Sequence, residues 1–519
     1  MFHATEPSWT HHRTQSFRRL KGATRCDVLV IGGGITGLSV AAECQRRGHD
    51  VVVAEAREIG QGTTAASSGH LDAVPEHGAR HLIDAIGLER AKEFTTDRLR
   101  AIDQIRDWAD SATHFQTKPI YQYAETEASL SNLRDECTAM RQLGLDVSWQ
   151  EVVAFPGAIG GVRIDGGATI NTAAYLAALT RRVESLGATI YEKTPIEAPA
   201  EANCRLLKTP EGSISAKHVV CAAHCNFTAA MLEHTQLPPM QSYLLVAEVA
   251  DRIADAMFWD DADPYHYVRQ ISSADAMVLR NHHGDPATPA DGQFLLIGGE
   301  DHRTGMGDSV EAVEALKRWA SERFEVVGFG PHWSAELFEP IDGLPMVGRV
   351  TGYDNVYQAT GLSGIGLTVG TAAASWLADC VEYRTRPLLD AIGFGRFGVG
   401  GLMNYAKASL EATVNVTSHL LPRHELDADQ LGSGEGTIAK VDGQTVAICR
   451  DHDGCVHTVR GVCPHMGGAL RWNELEQTWD CPLHGGRFAA DGTRLYGPAE
   501  DDLEVIPTDS SDSSQAKSA

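Results

Sequence analysis

Positive charge is scarce in this sequence of 519 residues. It has 44 lysines and arginines against 69 aspartates and glutamates, which gives a formal net charge of −25. A nucleic-acid-binding protein needs a basic face for the phosphate backbone, so this balance argues against nucleic acid as a partner. Long apolar runs are also missing. Because no stretch of 18 apolar residues occurs, a membrane span is not expected.

A regular cysteine pattern is missing as well. The eleven cysteines are odd in number and irregularly spaced, which is not the pattern of a disulfide-stabilised secreted domain. Ser16–Lys21 contains paired arginines, as some export signals do, but the apolar segment that such a signal needs does not follow it. The sequence therefore predicts a cytoplasmic protein, and its length leaves room for two or three domains.

A glycine-rich turn lies near the N-terminus, between two apolar segments. Cys26–Ile31 predicts a strand, and the turn Gly32–Gly37 follows it at once. A helix is predicted next, and a second strand, Val51–Ala54, ends at Glu55. Such glycines let the backbone turn tightly and approach a pyrophosphate, and an acid at that position accepts ribose hydroxyls. The pattern predicts a dinucleotide site, with NAD and FAD both open at this point.

Two pairs of ligand-type residues lie near the C-terminus: Cys463 with His465, and Cys481 with His484. Two thiolates and two imidazoles suit a single zinc ion. They also suit a 2Fe–2S cluster, with one iron on the cysteines and the other on the histidines. The cluster is favoured because each pair lies in a loop with Pro and Gly, whose backbone N–H groups can reach bridging sulfides.

The C-terminal region resembles Rieske domains. Trp479-Asp480 precedes the second pair, Gly485–Phe488 follows it, and Gly497–Ala499 closes the region, as in that family. The resemblance implies a small all-β domain with a Rieske-type 2Fe–2S cluster. Rieske proteins of respiratory complexes usually carry a disulfide between the two loops. Gly468 and Leu483 stand at those positions here, so a cluster without that disulfide is implied.

Four further segments indicate which dinucleotide is bound. They are Gly60–His70, Lys217–Ala223, Asp342–Arg349 and Asn355–Thr368. In order and character they resemble stretches of the D-amino-acid-oxidase-like family, which includes glycine oxidase and sarcosine oxidase. The resemblance implies FAD, oxidation of a C–N bond, and a helix whose positive N-terminus faces the pyrimidine end of the flavin.

The glycine turn and this resemblance together imply a set of FAD-binding residues. They are Gly32, Gly33, Gly34, Ile35, Thr36, Gly37, Glu55, Ala56, Arg57, Gly62, Thr63, Thr64, Ser67, Ser68, Gly69, His70, Pro195, Ile196, Ala222, Ala223, Gly361, Leu362, Gly364, Ile365, Gly366, Leu367 and Thr368. His70 is expected to contact the flavin ring; covalent attachment and a purely structural role are the alternatives.

The fold class expected is an α/β FAD-binding (Rossmann-type) domain with an antiparallel-sheet substrate domain, plus a small all-β Rieske domain. Helical periodicity predicts helices within 80–150 and over Thr169–Leu186, whereas Ser242–Val249 and Phe294–Ile297 have the pattern of strands. The predicted boundaries are an N-terminal arm at 1–24, the FAD-binding domain at 25–237 and 336–385, the substrate domain at 238–335, a connector at 386–430, the Rieske domain at 431–507 and a disordered tail at 508–519.

Substrate-binding candidates come from one predicted strand and one loop. Alternation along the strand sends Tyr265, Tyr267 and Arg269 to one face and His266 to the other. Arg269 is a candidate to bind a carboxylate bidentately; the alternative makes the tyrosines core residues and pairs Arg269 with a surface acid. His302 is a further candidate, in a loop expected to line the same cavity.

One departure from the family pattern bears on the substrate. Family members that act on glycine-like substrates often carry an arginine just after the segment that corresponds to His70, where this chain has Leu71-Asp72-Ala73. The expected substrate is therefore an amine or amino-acid-like molecule, with a larger amine or an N-substituted amino acid left open.

Two cofactors on one chain predict a dehydrogenase. FAD takes two electrons and a Rieske cluster moves one, so electrons would pass from FAD through the cluster to an external acceptor. The alternatives are an electron-transfer or reductase component and a non-catalytic redox sensor. A reductase would need a second Gly-x-Gly-x-x-Gly in a strand–helix context, and an oxygenase would need an Asp-x-x-His-x-x-x-x-His site; neither pattern occurs.

Overall fold

The structure is a computed structural model, and it describes residues 15–198, 201–225, 236–272, 275, 293–396, 431–441 and 443–507. The chain divides into two compact units. The first takes residues 1–302 and 310–405, and the second takes residues 303–309 and 406–519. The predicted tail, most of the predicted connector and residues 1–14 of the predicted arm lie outside the described residues.

The first unit contains sixteen strands and nine helices among the described residues. The strands are β1 (Gly22–Ile31), β2 (Val51–Ala54), β3 (His70–Leu71), β4 (Gln116–Ala124), β5 (Val147–Gln150), β6 (Gly160–Thr169), β7 (Thr189–Tyr191), β8 (Leu206–Thr209), β9 (Gly212–Cys221), β10 (Pro239–Val249), β11 (Met257–Trp259), β12 (His266–Ile271), β13 (Gln293–Arg303), β14 (Val326–Phe338), β15 (Met346–Arg349) and β16 (Val356–Thr360). The helices are α1 (Ile35–Arg46), α2 (Thr63–Ala66), α3 (Ala79–Ile86), α4 (Leu88–Trp108), α5 (Glu127–Gln142), α6 (Thr172–Ser185), α7 (Ser309–Arg323), α8 (Gly366–Val381) and α9 (Pro387–Ile392). The end residues Arg303 of β13 and Ser309 of α7 are counted with the second unit.

A seven-stranded sheet forms the Rossmann-type part of the first unit. Its order is β15-β16-β9-β1-β2-β7, with β8 paired to β9. β1 runs parallel to both β2 and β9. Val28–Ile31 of β1 is buried throughout, as expected for a parallel strand covered on both faces. The predicted α/β FAD-binding fold is confirmed.

A nine-stranded sheet forms the other layer, in the order β14-β10-β13-β12-β11-β4-β6-β3, with β5 paired to β6. The strands predicted at Ser242–Val249 and Phe294–Ile297 lie within β10 and β13. The sheet is not confined to 238–335, however, because β3 to β6 also join it. Residues 80–150 were expected to be helical; α3, α4 and α5 are found there, but β4 and β5 lie among them. The alternating patterns of β4 and β5 are short and lie next to much stronger helical patterns, so the sequence did not indicate these strands.

A helical stretch, Ser363–Val381, is long and apolar enough to cross a membrane by composition. It consists of a 3₁₀ turn, Ser363–Ile365, followed by α8. Some 72% of it is buried inside the folded structure, and Trp376 and Leu377 are fully buried. The apolar character of this stretch therefore fits a helix at the centre of a protein core.

The second unit is all-β, as predicted. Its strands are β17 (Gly436–Val441), β18 (Gln444–Arg450), β19 (Val456–Arg460), β20 (Arg471–Asn473), β21 (Thr478–Asp480), β22 (Arg487–Ala489) and β23 (Arg494–Tyr496). They form a three-stranded and a four-stranded antiparallel sheet. The described part of residues 303–309 belongs to this unit: Arg303 Nε donates to the Pro482 carbonyl at 3.0 Å.

Candidate active site and cofactor sites

The glycine turn between β1 and α1 is closely packed. Gly32 has φ +108°, and a Cβ added to it would lie 2.4 Å from the Ala222 carbonyl oxygen. A Cβ added to Gly37 would lie 2.0 Å from the Gly32 carbonyl oxygen. α1 begins after Gly34 without a side-chain cap from that residue. The Ile35 N–H donates to Thr64 Oγ1, which leaves the next N–H groups of the first turn for an anion. The turn fits the pyrophosphate of a dinucleotide.

Glu55 is held at the carboxyl end of β2, beside this turn. Its Oε2 accepts a hydrogen bond from the Gly33 N–H at 2.7 Å, and its Oε1 accepts one from the Arg57 N–H at 2.9 Å. Residues 193–196 reach the same place, because the Thr194 N–H donates to the Glu55 carbonyl at 2.9 Å. Glu55 is thereby oriented as a ribose-binding acid requires.

The other predicted FAD segments converge on the turn. Thr64 Oγ1 accepts from the Ile35 N–H at 3.3 Å, and the Ala222 N–H donates to the Ile31 carbonyl at 2.8 Å. A Cβ added to Gly370 of α8 would lie 2.3 Å from Thr36 Oγ1, so α8 packs directly on α1. Segments far apart in the sequence thus meet at the carboxyl ends of the parallel strands, where such folds bind ligands.

His70 lies at the start of β3 after the small-residue segment. Its Nδ1 is 2.8 Å from Ser68 Oγ, and its Nε2 is buried without a hydrogen-bond partner. Burial, and after it the charge of Arg269, holds the pKa of His70 well below its usual range, so the imidazole is neutral. The ring meets the Tyr267 ring edge-on at 5.3 Å.

The predicted alternation along β12 is confirmed. Tyr267 lies against His70 and 6.0 Å from the Tyr265 ring. His266 points the other way, stacks on Trp319 at 4.7 Å and contacts the acids Asp260 and Glu300.

Arg269 is buried on the same face of β12 as Tyr267. Its Nε donates to the Ser68 carbonyl at 2.7 Å and its Nη1 to the Gln270 carbonyl at 3.2 Å. In the described part of the chain it forms no ion pair, so the alternative of a surface pair with an acid is wrong. Burial lowers its pKa to about 10, which still leaves the guanidinium charged at neutral pH.

His302 lies against a different tyrosine. Its Nε2 is 2.9 Å from the Tyr243 hydroxyl, and the two ring centroids are 5.3 Å apart. The residue beside it in the sequence, Asp301, contacts the β12 face instead: the Tyr265 hydroxyl donates to Asp301 Oδ2 at 3.1 Å. His302 was predicted to lie in a loop, and this is wrong, because residues 293–303 form strand β13. Asp301 belongs to the same predicted cavity-lining segment but was not chosen as a candidate. Gly299 and Glu300 have φ +139° and +56°. They interrupt the strand alternation, which would otherwise have shown whether Asp301 or His302 lies on the side of Tyr265.

A buried arginine, Arg98 of α4, was also missed. It donates to the Val74 carbonyl at 2.8 Å, to Thr368 Oγ1 at 3.1 Å and to the carbonyl and carboxylate of Asp72. It therefore joins the segment after His70 to the first turn of α8. These partners are up to 270 residues apart in the sequence, and no local pattern signals the contact.

The two cluster loops of the second unit have the same backbone geometry. In the first, the Cys463 N–H donates to the Gly468 carbonyl at 2.8 Å and the Gly467 N–H to the Cys463 carbonyl at 2.9 Å. In the second, Cys481, Gly485 and Gly486 make the same two bonds at 2.8 and 3.0 Å. Gly467 and Gly485 have φ +71° and +74°, where a glycine is favoured.

The four ligand-type side chains meet in like pairs. The Cys463 and Cys481 side chains lie within hydrogen-bonding reach of each other, and this contact lowers the pKa of Cys463 and raises that of Cys481. Backbone N–H groups of residues 465–466 and 483–484 approach these sulfurs. The His465 and His484 rings lie 5.1 Å apart.

This pairing distinguishes the two metal hypotheses. Two thiols on one side and two imidazoles on the other match two irons better than a single zinc. A Cβ added to Gly468 would lie 2.8 Å from Leu483 Cδ1, so leucine packs in the place of the inter-loop disulfide.

A buried polar network supports the second loop. Asp480, directly before Cys481, accepts from Arg487 Nε at 3.0 Å, from Thr478 Oγ1 at 2.8 Å and from Asn473 Nδ2 at 3.1 Å. Asp480 and Arg487 are both buried. The network fixes the end of β21 against β22 and so positions the cysteine that follows it.

Comparison with known proteins agrees with both sites. A family model described as FAD dependent oxidoreductase matches residues 27–380, and a model of the Rieske [2Fe-2S] domain matches residues 424–507. The first match spans well over half of the chain. The chain belongs to the FAD-dependent oxidoreductase family. This FAD-dependent oxidoreductase is an enzyme whose cofactors are FAD and a Rieske 2Fe–2S cluster.

Relatives share one or both parts of the oxidoreductase. YhfW of Bacillus subtilis (strain 168), named as a Rieske 2Fe-2S iron-sulfur protein, is 27% identical over 517 residues, 98% of each chain. Gamma-glutamylputrescine oxidoreductase of Escherichia coli (strain K12) is 22% identical and covers 70% of this chain and 86% of its own. The crystal structure of glycine oxidase from Geobacillus kaustophilus matches with TM-score 0.58 and 20% identity over 72% of this chain and 99% of that one.

Proposed function

We propose that the protein is a cytoplasmic dehydrogenase that oxidises a C–N bond of an amine or amino-acid-like molecule and delivers the electrons to an external acceptor. FAD when bound takes two electrons from the substrate carbon, and the Rieske cluster carries one at a time towards the acceptor. The observation that carries the proposal is that one chain holds both cofactors. No disulfide joins cysteines in the described part of the chain, which supports a reducing compartment.

Arg269 supports an amino-acid-like substrate. Among the described residues no carboxylate lies within ion-pair distance of this buried guanidinium, and Asp275 acts on it only through space. A carboxylate of the ligand would therefore stabilise its charge. Its Nη2 makes no hydrogen bond to the residues that the structure describes, which leaves part of the guanidinium fork for a carboxylate. The neutral His70 and the Tyr267 ring supply an apolar, water-excluding wall beside it.

The proposal is tested by adding single amines and amino acids to the holoenzyme without oxygen. The expected result is that one of them bleaches the flavin absorbance and that the paramagnetic-resonance signal of the reduced cluster then appears. Flavin bleaching without that signal would refute the relay to the cluster. If no amine or amino acid bleaches the flavin, the C–N oxidation is refuted, and an electron carrier or redox sensor becomes the better account.

A Cys463→Ser variant is the matched control. It should lose the cluster while its flavin, in the other unit, is still bleached by the substrate. Re-oxidation by a one-electron acceptor should then become much slower than in the intact protein, whereas an unchanged rate would place the exit of electrons at the flavin itself.

A further inference from the structure

We infer that Arg303 is a positioning residue of the Rieske cluster. It orients the peptide group whose N–H bonds to the Cys481 sulfur, and it thereby raises the reduction potential of the cluster. The inference goes beyond the proposed function and does not depend on it, because the cluster can be measured without a substrate.

The segment that contains Arg303 comes from the middle of the flavoprotein sequence but folds with the second unit. Residues 303–309 lie inside the match to the FAD-dependent oxidoreductase family, yet they belong to the compact unit that holds the cluster loops. Strand β13 ends at Arg303. Two residues earlier on the same strand, Asp301 accepts a hydrogen bond from the Tyr265 hydroxyl at 3.1 Å. The strand that contributes to the candidate substrate face therefore ends in a residue of the cluster unit.

Arg303 contacts the second cluster loop directly. Its Nε donates a hydrogen bond to the Pro482 carbonyl at 3.0 Å, across 179 positions of sequence. Pro482 follows the ligand Cys481 and is buried, whereas Pro464, which follows the ligand Cys463 in the first loop, is exposed. Because proline has no N–H, the carbonyl is the one backbone group at position 482 through which a hydrogen bond can hold the loop.

The Pro482 carbonyl belongs to the same planar peptide group as the Leu483 N–H, which lies on the opposite side of that group. The Leu483 N–H bonds to the Cys481 sulfur. A donor on the carbonyl fixes the plane of the peptide and polarises its N–H, which strengthens the hydrogen bond that the N–H gives.

This chain of hydrogen bonds acts on the reduction potential with a definite sign. Hydrogen bonds to the sulfurs and the net charge are among the factors that set the potential of an iron–sulfur cluster. A reduced cluster carries one more negative charge than an oxidised one, so a stronger N–H bond to Cys481 favours the reduced state. The positive guanidinium of Arg303 acts in the same direction.

Gly305 packs against the backbone on both sides of Cys481. It has φ +69°, and a Cβ added to it would lie 3.2 Å from the Asp480 carbonyl oxygen and 3.4 Å from the Pro482 nitrogen. Residues 303–309 therefore support the second cluster loop by a hydrogen bond and by close packing.

The test measures the cluster of the full-length holoprotein, poised with redox mediators and read by paramagnetic resonance. Arg303→Met removes both the donor and the charge at similar volume. At a fixed potential it should lower the ratio of reduced to oxidised cluster about fivefold, which corresponds to about 40 mV. Arg303→Lys keeps the charge and a donor and should recover part of this shift. The resonance spectrum of Arg303→Met should also differ from that of the wild type.

Arg460→Met is the matched control. Arg460 belongs to the same unit, but it pairs with Glu504 at 3.4 Å and 43% of its side chain is exposed, so its loss should leave the potential unchanged. An unchanged potential in Arg303→Met, or equal shifts in Arg303→Met and Arg460→Met, would overturn the inference. A shift that Arg303→Lys does not reduce at all would contradict the explanation by donor and charge.

Iron and FAD contents cover the case in which Arg303→Met does not hold its cluster. Loss of iron with FAD retained, recovered in Arg303→Lys, supports the positioning role, whereas loss of both cofactors would show general misfolding and overturn it. Gly305→Ala leaves Arg303 in place and presses on the same loop. It should alter the resonance spectrum while FAD is retained, and a spectrum identical to that of the wild type would contradict the role of the segment.

Discussion

Replacing Arg98 with methionine should strongly destabilise the first unit. Arg98 is fully buried, with 0% of its side chain exposed, and it satisfies the Asp72 carboxylate, two backbone carbonyls and Thr368 Oγ1. Methionine fills similar volume but leaves a buried carboxylate without its cation. Breaking a buried pair in this way costs about 3–5 kcal/mol.

The control lies two residues away on the same helix. Arg100 pairs with Asp97 at 2.9 Å, but 74% of its side chain is exposed, and an exposed pair contributes only about 0–1 kcal/mol. Urea unfolding of Arg98→Met and Arg100→Met, followed by flavin fluorescence, measures the difference. Equal losses of unfolding free energy in the two variants would refute the claim that Arg98 stabilises this region.

The stability that Arg98→Met loses should depend on pH, and the direction of that dependence follows from the pKa of Asp72. Burial raises the pKa of Asp72 and Arg98 lowers it, so removing Arg98 raises it further. When folding raises the pKa of a carboxyl group, the free energy of unfolding falls as pH rises, because the folded protein must then carry a buried negative charge. The loss should be larger at pH 7 than at pH 5, and Asp72→Asn in the Arg98→Met background should recover part of it. A pH-independent loss would contradict this account.

Three other changes test the two cofactor sites. Gly37→Ala should give protein without FAD but with its cluster, because the new Cβ would lie 2.0 Å from a backbone carbonyl; an FAD content equal to wild type would contradict the fit. Gly486→Ser places a hydroxyl near Cys463 Sγ, 3.4 Å from the added Cβ, and should raise the cluster potential by about 40 mV, the equivalent of one net hydrogen bond; an unchanged or lower potential speaks against the contact. Asp480→Asn should reduce iron content while FAD is retained, and full iron occupancy would show that its network does not hold the loop.

The parts of the sites that could be predicted are those encoded within short segments. The cluster ligands lie two or three residues apart on loops with glycine at fixed positions, and the structure pairs them as expected. The glycine turn and Glu55 follow from one strand–turn–helix–strand segment. Alternation alone was enough to place Tyr267 and Arg269 on one face of β12.

The parts that could not be predicted depend on contacts between distant residues. Arg98 and Thr368 are separated by 270 positions, and nothing near either residue signals the bond. Asp301 follows an irregular pair with positive φ, so period-two alternation fails just where it is needed. The place of β4 in the substrate sheet was not predicted, because its pairing partners, β6 and β11, come from other parts of the chain.

The central claim is that electrons from an amine reach the Rieske cluster through FAD. The most direct measurement mixes the holoenzyme with a bleaching substrate under anaerobic conditions, with freeze-quenched samples taken for paramagnetic resonance. The account predicts that the reduced-cluster signal grows after the flavin bleaches and reaches one electron per cluster. A flavin that stays fully reduced beside a cluster that stays oxidised would contradict it.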